Sequence, residues 1–161
     1  RDPAKAAAFA RANGVELAGS VAEAVGGADI VCTTTPAREP LLLRAMLRPG
    51  LHINAVGASI PTMQEIATDV VPAVNLVTDF RPSLEAQAAE VIDARRRGLV
   101  GRDVAFAEIG EVLNGARPGR AGPAEITLYR SLGVAAQDLA GTMAILALAE
   151  AAGRGTVVPW A

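Results

Sequence analysis

Apolar residues fall in short runs that end in small polar residues, and segments of helical spacing separate these runs. Ala28 to Thr34, Leu51 to Val56, Asn75 to Asp79 and Glu125 to Tyr129 read as strands. Val15-Glu16-Leu17-Ala18 reads as a further short strand, and Thr156 to Pro159 as a final extended piece. Between them, Asp2-Pro3 opens a helix that Asn13-Gly14 closes, and Ser20 with Glu23 forms a capping box that leads to a stop at Gly26-Gly27. Leu41 to Leu47 reads as helical. Thr62 with Glu65 caps another helix, and Pro82 to Arg97 forms one that ends at Gly98. Ala107 to Gly115 gives a short helix, and Val134 to Ala152 a long one with Leu139, Met143, Leu146 and Ala147 on one stripe. Strand and helix alternate. The expected fold is therefore α/β, a parallel sheet with crossover helices whose strand ends share one edge.

Composition narrows the function. Half of the 161 residues are apolar, with few aromatics, which suits a helix-rich α/β core of small side chains. A net charge of −2 offers no electrostatic basis for binding nucleic acid or an anionic membrane. The single Cys32 rules out an internal disulfide framework, and its apolar surroundings predict a buried thiol. Gln137, Asp138 and Glu150 interrupt the most apolar helix, so it is not read as a membrane span. No signal peptide or metal-ligand spacing is visible, and the cytoplasm is the default compartment.

Two strand ends carry the candidate chemistry. Thr33-Thr34-Thr35-Pro36 offers hydroxyls and backbone N–H groups that could hold a ribose, a phosphate or a carboxamide. Threonines also suit strands and local turns for their own sake. Asn54 to Ser59 places Gly57 where a flat ring could approach the backbone, with Ser59 near that ring. A plain strand-to-helix loop would use the same residues. In open α/β sheets this edge binds cofactors. An Arg at position 1 is of the type that accommodates a 2′-phosphate. Glu90, Glu108 and Glu111 show no partner and read as solvated acids. The lone His52 reads as structural, and Arg95-Arg96-Arg97 as a solvated helix end.

Four segments together resemble the ornithine cyclodeaminase/μ-crystallin family: Ala28 to Pro36, His52 to Ala58, Glu108 to Val112 and Ser131 to Asp138. The resemblance implies a Rossmann-like parallel sheet with flanking helices that binds NAD(P). The sheet would be incomplete at its N-terminus, because the family's first strands, its Gly-rich phosphate loop and its N-terminal substrate and dimerisation domain have no counterpart, and no G-x-G-x-x-G occurs. Residues 1–131 would be a partial cofactor domain. Residues 132–161 would be a helix and tail returning to the substrate domain of a homodimeric parent. The implied reaction is NAD(P)H-dependent reduction of a small cyclic imino acid, or interconversion of an amino acid and a keto acid. Ornithine cyclodeamination and cofactor-loaded binding without turnover are the alternatives, and the fragment alone is expected to be inactive. The resemblance places Ser59 at the substrate and Arg1, Thr33, Thr34, Thr35, Pro36, Val56, Gly57 and Ser131 at the cofactor, with Arg1 favouring NADP. Cyclodeaminases of the family carry Asp where Ser59 stands, and a serine cannot act as a carboxylate base at neutral pH.

Overall fold

Four of the apolar runs become parallel strands, and Ala107–Glu108, read as the start of a helix, forms a fifth. The computed structural model describes residues 2–159. It contains β1 (Ile30–Thr33), β2 (His52–Ala55), β3 (Asn75–Thr78), β4 (Ala107–Glu108) and β5 (Thr127–Arg130), in the spatial order β1-β2-β5-β3-β4. Every pairing is parallel, and the registers place Thr33 beside Ala55, Ala55 beside Arg130, Arg130 beside Thr78 and Thr78 beside Glu108. The five carboxyl ends therefore form one level row. This is the parallel α/β sheet expected from the alternation of strand and helix, and it is Rossmann-like, as the family resemblance implies.

The helices are α1 (Pro3–Asn13), α2 (Val21–Gly26), α3 (Arg81–Gln87), α4 (Ala89–Arg96), α5 (Ile109–Leu113) and α6 (Ala135–Ala151). Asp2 caps α1 through the Ala4 and Lys5 N–H groups, and Gly14 ends it at φ 64°. Ser20 accepts the Glu23 N–H to start α2. One sheet face holds the core, in which Ile53, Ala55, Leu76 and Leu128 pack with Leu42, Ile66, Val70, Leu84 and Val91. On the other face Ile30 and Cys32 are exposed. Here His52 bonds Thr127 and Asn54, a structural role as expected. None of the described residues of α6 is buried, and no helix among the described residues is long and apolar enough to cross a membrane.

Several local expectations fail for identifiable reasons. Val15 to Ala18 pairs with no strand among the described residues, and Val15 and Leu17 are exposed. Leu41 to Leu47 is not a helix. Leu41 and Leu42 donate to the Glu65 carbonyl, Leu42 bridges Ile66, and only Arg44–Met46 makes a short 3-10 turn. Thr62 starts no helix among the described residues, and Glu65 turns inward instead. Pro82 to Arg97 breaks at Ala88, whose extended backbone (φ −76°, ψ 101°) separates α3 from α4. The second segment buries Glu90, Val91 and Ala94. Cys32 is exposed because β1 lies at the sheet edge with its second face open.

Candidate functional site

The row of strand ends is held together by three carboxylates and one guanidinium. Glu65 is 2% exposed and joins β1 to β2. Its Oε1 accepts from the Thr35 N–H (2.5 Å) and Thr35 Oγ1 (2.7 Å). Its Oε2 accepts from Thr33 Oγ1 (2.8 Å), the Gly57 N–H (3.0 Å) and the Ala58 N–H (3.4 Å). Burial alone would raise the Glu65 pKa. The hydrogen bonds from Thr35 and Thr33, with the Thr35 and Gly57 N–H groups, outweigh that and hold it below the usual carboxylate value.

Gly57 is small because protein needs the space. A Cβ there would collide with the Thr35 backbone and come within 2.7 Å of Glu65 Oε1. β1's own tail thus makes one close approach to Gly57. The Val56 and Gly57 N–H groups also bond the Thr33 carbonyl at 3.0 and 3.2 Å, which fixes the two tails side by side.

Arg130 ends β5 with 1% exposure. Its Nε donates to Glu90 Oε1 at 2.7 Å, and its remaining nitrogens reach the carbonyls of Ala55, Ser131 and Ala58. Glu90, expected to be a solvated acid, is thus the buried counter-ion of a residue that anchors the loop after β2. Its Oε2 has no partner. Asp79, at the end of β3, accepts from Ser131 Oγ (3.2 Å) and from the N–H groups of Leu132 (2.7 Å) and Gly133 (2.6 Å). Glu108 and Glu111 likewise have a partner. Arg81 donates to both carboxylates, and Glu111 accepts the Glu108 N–H at the start of α5. The backbone bond to Glu108, with Arg81 and Arg117 nearby, lowers the Glu111 pKa against its desolvation.

The predicted site residues divide into two groups. Thr33, Thr35 and Gly57 form the floor, and their donors are engaged by Glu65. Thr34, Pro36 and Val56 are exposed on the edge itself. Ser59 is partly buried, one residue beyond the doubly anchored Ala58, and its hydroxyl bonds nothing among the described residues. Ser131 donates its N–H to the Ala55 carbonyl, so it lies beside Val56, with its hydroxyl on Asp79. Arg1 lies outside the described residues. Asp79 and Arg130 escaped the sequence reading, while Glu65 was read as a helix cap and Glu90 as a solvated acid. The available signal was a full charge at the end of an apolar strand, Arg130, which requires a buried partner.

This edge suits part of a dinucleotide. Val56 is 44% exposed and presents an apolar shelf on the same edge as Thr34 and Ser59, whose hydroxyls have no partner among the described residues. That is the surface a flat, amide-bearing ring requires. A pyrophosphate needs free N–H groups, and the N–H groups of Thr35, Gly57 and Ala58 already face a carboxylate. A separate cavity of about 240 Å³ opens beside His52, Val77, Ile109, Val112 and Arg120. It lies along β5 and β3 and is closed by α5, and it includes none of Thr34, Val56 and Ser59.

The chain is 40% identical over 125 residues to the ketimine reductase mu-crystallin of Mus musculus, covering 78% of this chain and 37% of that protein. The Δ1-pyrroline-2-carboxylate reductase of Thermococcus litoralis, solved in complex with NADH and L-proline, superposes with a TM-score of 0.84 at 30% identity, over 95% of this chain and 48% of that one. The iminosuccinate reductase of Paracoccus denitrificans, solved in complex with NAD+, gives 0.81 at 30% identity, over 96% and 47%. The chain spans less than half the length of each of these relatives. Residues 1–152 match the model of the ornithine cyclodeaminase/mu-crystallin family, and the chain belongs to that family.

Proposed function

We propose that this chain supplies the cofactor half of an NAD(P)H-dependent reductase acting on a small cyclic imino acid whose C=N bond adjoins a carboxylate. The observation that carries the reading is the level row of strand ends, with Thr34, Val56 and Ser59 left open above the clamped tails of β1 and β2. When bound, a reduced nicotinamide dinucleotide supplies the hydride that the imine carbon receives.

The residues of this chain then bind and orient. Val56 offers the ring an apolar face and keeps water from that side. Thr34 offers a hydroxyl to a ribose or carboxamide, and Pro36 stiffens the same tail. Thr33, Thr35 and Gly57 act from beneath by fixing the position of that tail. Ser131 closes the far side of the shelf, and Ser59 donates to the substrate. Residues 1–131 make up the cofactor unit, and 132–161 lead toward the substrate-binding part. The wholly unburied α6 supports that division. Arg1 is the residue that favours the 2′-phosphate of NADP.

The test is oxidation of NADH and of NADPH by the full-length protein with Δ1-pyrroline-2-carboxylate and Δ1-piperideine-2-carboxylate. Turnover of either imino acid is the expected result. Steady release of proline from ornithine without imine reduction would overturn it, as would tight ligand binding with no product. Ser59→Asp is expected to lower imine reduction; a gain of cyclodeamination over a background already present would point the same adverse way.

A further inference from the structure

We propose that Glu65 is a positioning residue that selects the nicotinamide end of the cofactor, and its positively charged oxidised form in particular, by presenting an ionised carboxylate beneath a floor stripped of free donors. This rests on the reading of the crevice given above.

The strand pairing ends at Thr33 and Ala55. Past that point the tails have no ladder to join them, and the N–H groups of Thr35 and Ala58 need another acceptor. Glu65 supplies it from a segment with no helix of its own, together with acceptors for two threonine hydroxyls. In many open α/β sheets such N–H groups point outward and receive an anion. Here they point at a carboxylate, so an anionic ligand finds no donors on this floor and meets a negative charge. A ligand group that carries positive charge is attracted by the same carboxylate.

Among the described residues, no cation is a hydrogen-bond or ion-pair partner of Glu65. Arg130, at the end of β5, reaches the Ala58 carbonyl of this loop but is paired with Glu90. The charge on Glu65 is therefore spread over its five donors without being neutralised. A buried charge acts more strongly on its neighbours than an exposed one, because little water screens it. The carboxylate should bind an oxidised, cationic ring more tightly than a neutral, reduced one.

Glu65→Gln separates this role from simple packing. The amide has nearly the same shape but no charge. Whichever way it is turned, its NH₂ faces the Thr35 N–H or the Gly57 N–H, donor against donor. Glu65→Asp keeps the charge on a shorter arm.

The experiment measures Kd for NAD+ and for NADH separately, by calorimetry, on the full-length protein and these variants. Glu65→Gln is expected to weaken NAD+ by about tenfold or more, as for a charged hydrogen-bond partner lost, and to weaken NADH clearly less. Glu65→Asp should keep the wild-type NAD+/NADH ratio even if both weaken. Thr33→Val removes one donor and leaves the charge, so it should keep the ratio as well. It serves as the probe if Glu65→Gln does not fold. Equal weakening of both forms by Glu65→Gln would overturn the proposal, as would a Thr33→Val ratio shifted toward NADH. If wild type binds neither dinucleotide, the reading of the crevice itself fails. If it binds both and Glu65→Gln leaves their ratio unchanged, only the role of Glu65 fails.

Discussion

Gly57→Ala separates two explanations of one residue. If Gly57 exists to admit a flat ring, adding a methyl group should weaken cofactor binding and leave stability alone. The structure places the added carbon against the Thr35 backbone and 2.7 Å from Glu65 Oε1, with no ligand involved. Neither neighbour is the free end of a flexible side chain. Thr35 is held by its own N–H and hydroxyl bonds, and Glu65 by five donors. The tails of β1 and β2 must therefore part. Overpacking of this kind costs about 1–3 kcal/mol, and losing one bond to a charged acceptor adds about 1.5–3 kcal/mol. A loss of about 3–5 kcal/mol is expected, a large part of the roughly 5–15 kcal/mol that domains possess. Urea unfolding of Gly57→Ala beside wild type, without cofactor, measures it. A midpoint within the equivalent of about 0.5 kcal/mol, the scale of an ordinary surface change, would refute the reasoning. A normal midpoint combined with lost NADH binding would restore the ring-approach explanation.

Two further outcomes follow from the same clamps. Arg130→Met leaves Glu90 charged and unpaired in the core and should cost about 3–5 kcal/mol. The double variant Arg130→Met/Glu90→Leu should recover much of this, which a double-mutant cycle in urea will show; equal or greater loss in the double variant would contradict the pairing. The depressed pKa of Glu65 has a definite sign for stability. Its contribution is fully present above the ordinary value of 4.5 and fades as pH falls below that toward the folded value, so the urea midpoint should drop across that acid window. Glu65→Gln should flatten the drop, and an identical acid slope in that variant would exclude Glu65 as a source.

The alternation of apolar runs with helical segments was enough to determine a parallel α/β sheet. The reason is physical: buried strands need continuous apolar stretches, and parallel neighbours need crossovers. Capping chemistry is local too, so Asp2, Ser20 and Gly14 could be read directly from their neighbours. The polar ends of β1 and β2 marked the edge where Thr34, Val56 and Ser59 now stand open. What the sequence could not reveal is which groups meet across it. Glu65 carries the spacing of a cap, yet five donors brought together by two different strands outcompete that local role. Glu90 lies on a segment that reads as one uninterrupted helix, and only the break at Ala88 accompanies its burial against Arg130. Gly57 suits a turn, a ring or a close backbone equally well in sequence, and only the tertiary structure shows Thr35 packed against it. Each of these is a contact between residues distant in the chain, where burial makes an unpaired charge or donor so costly that tertiary structure, and not local preference, assigns the partner.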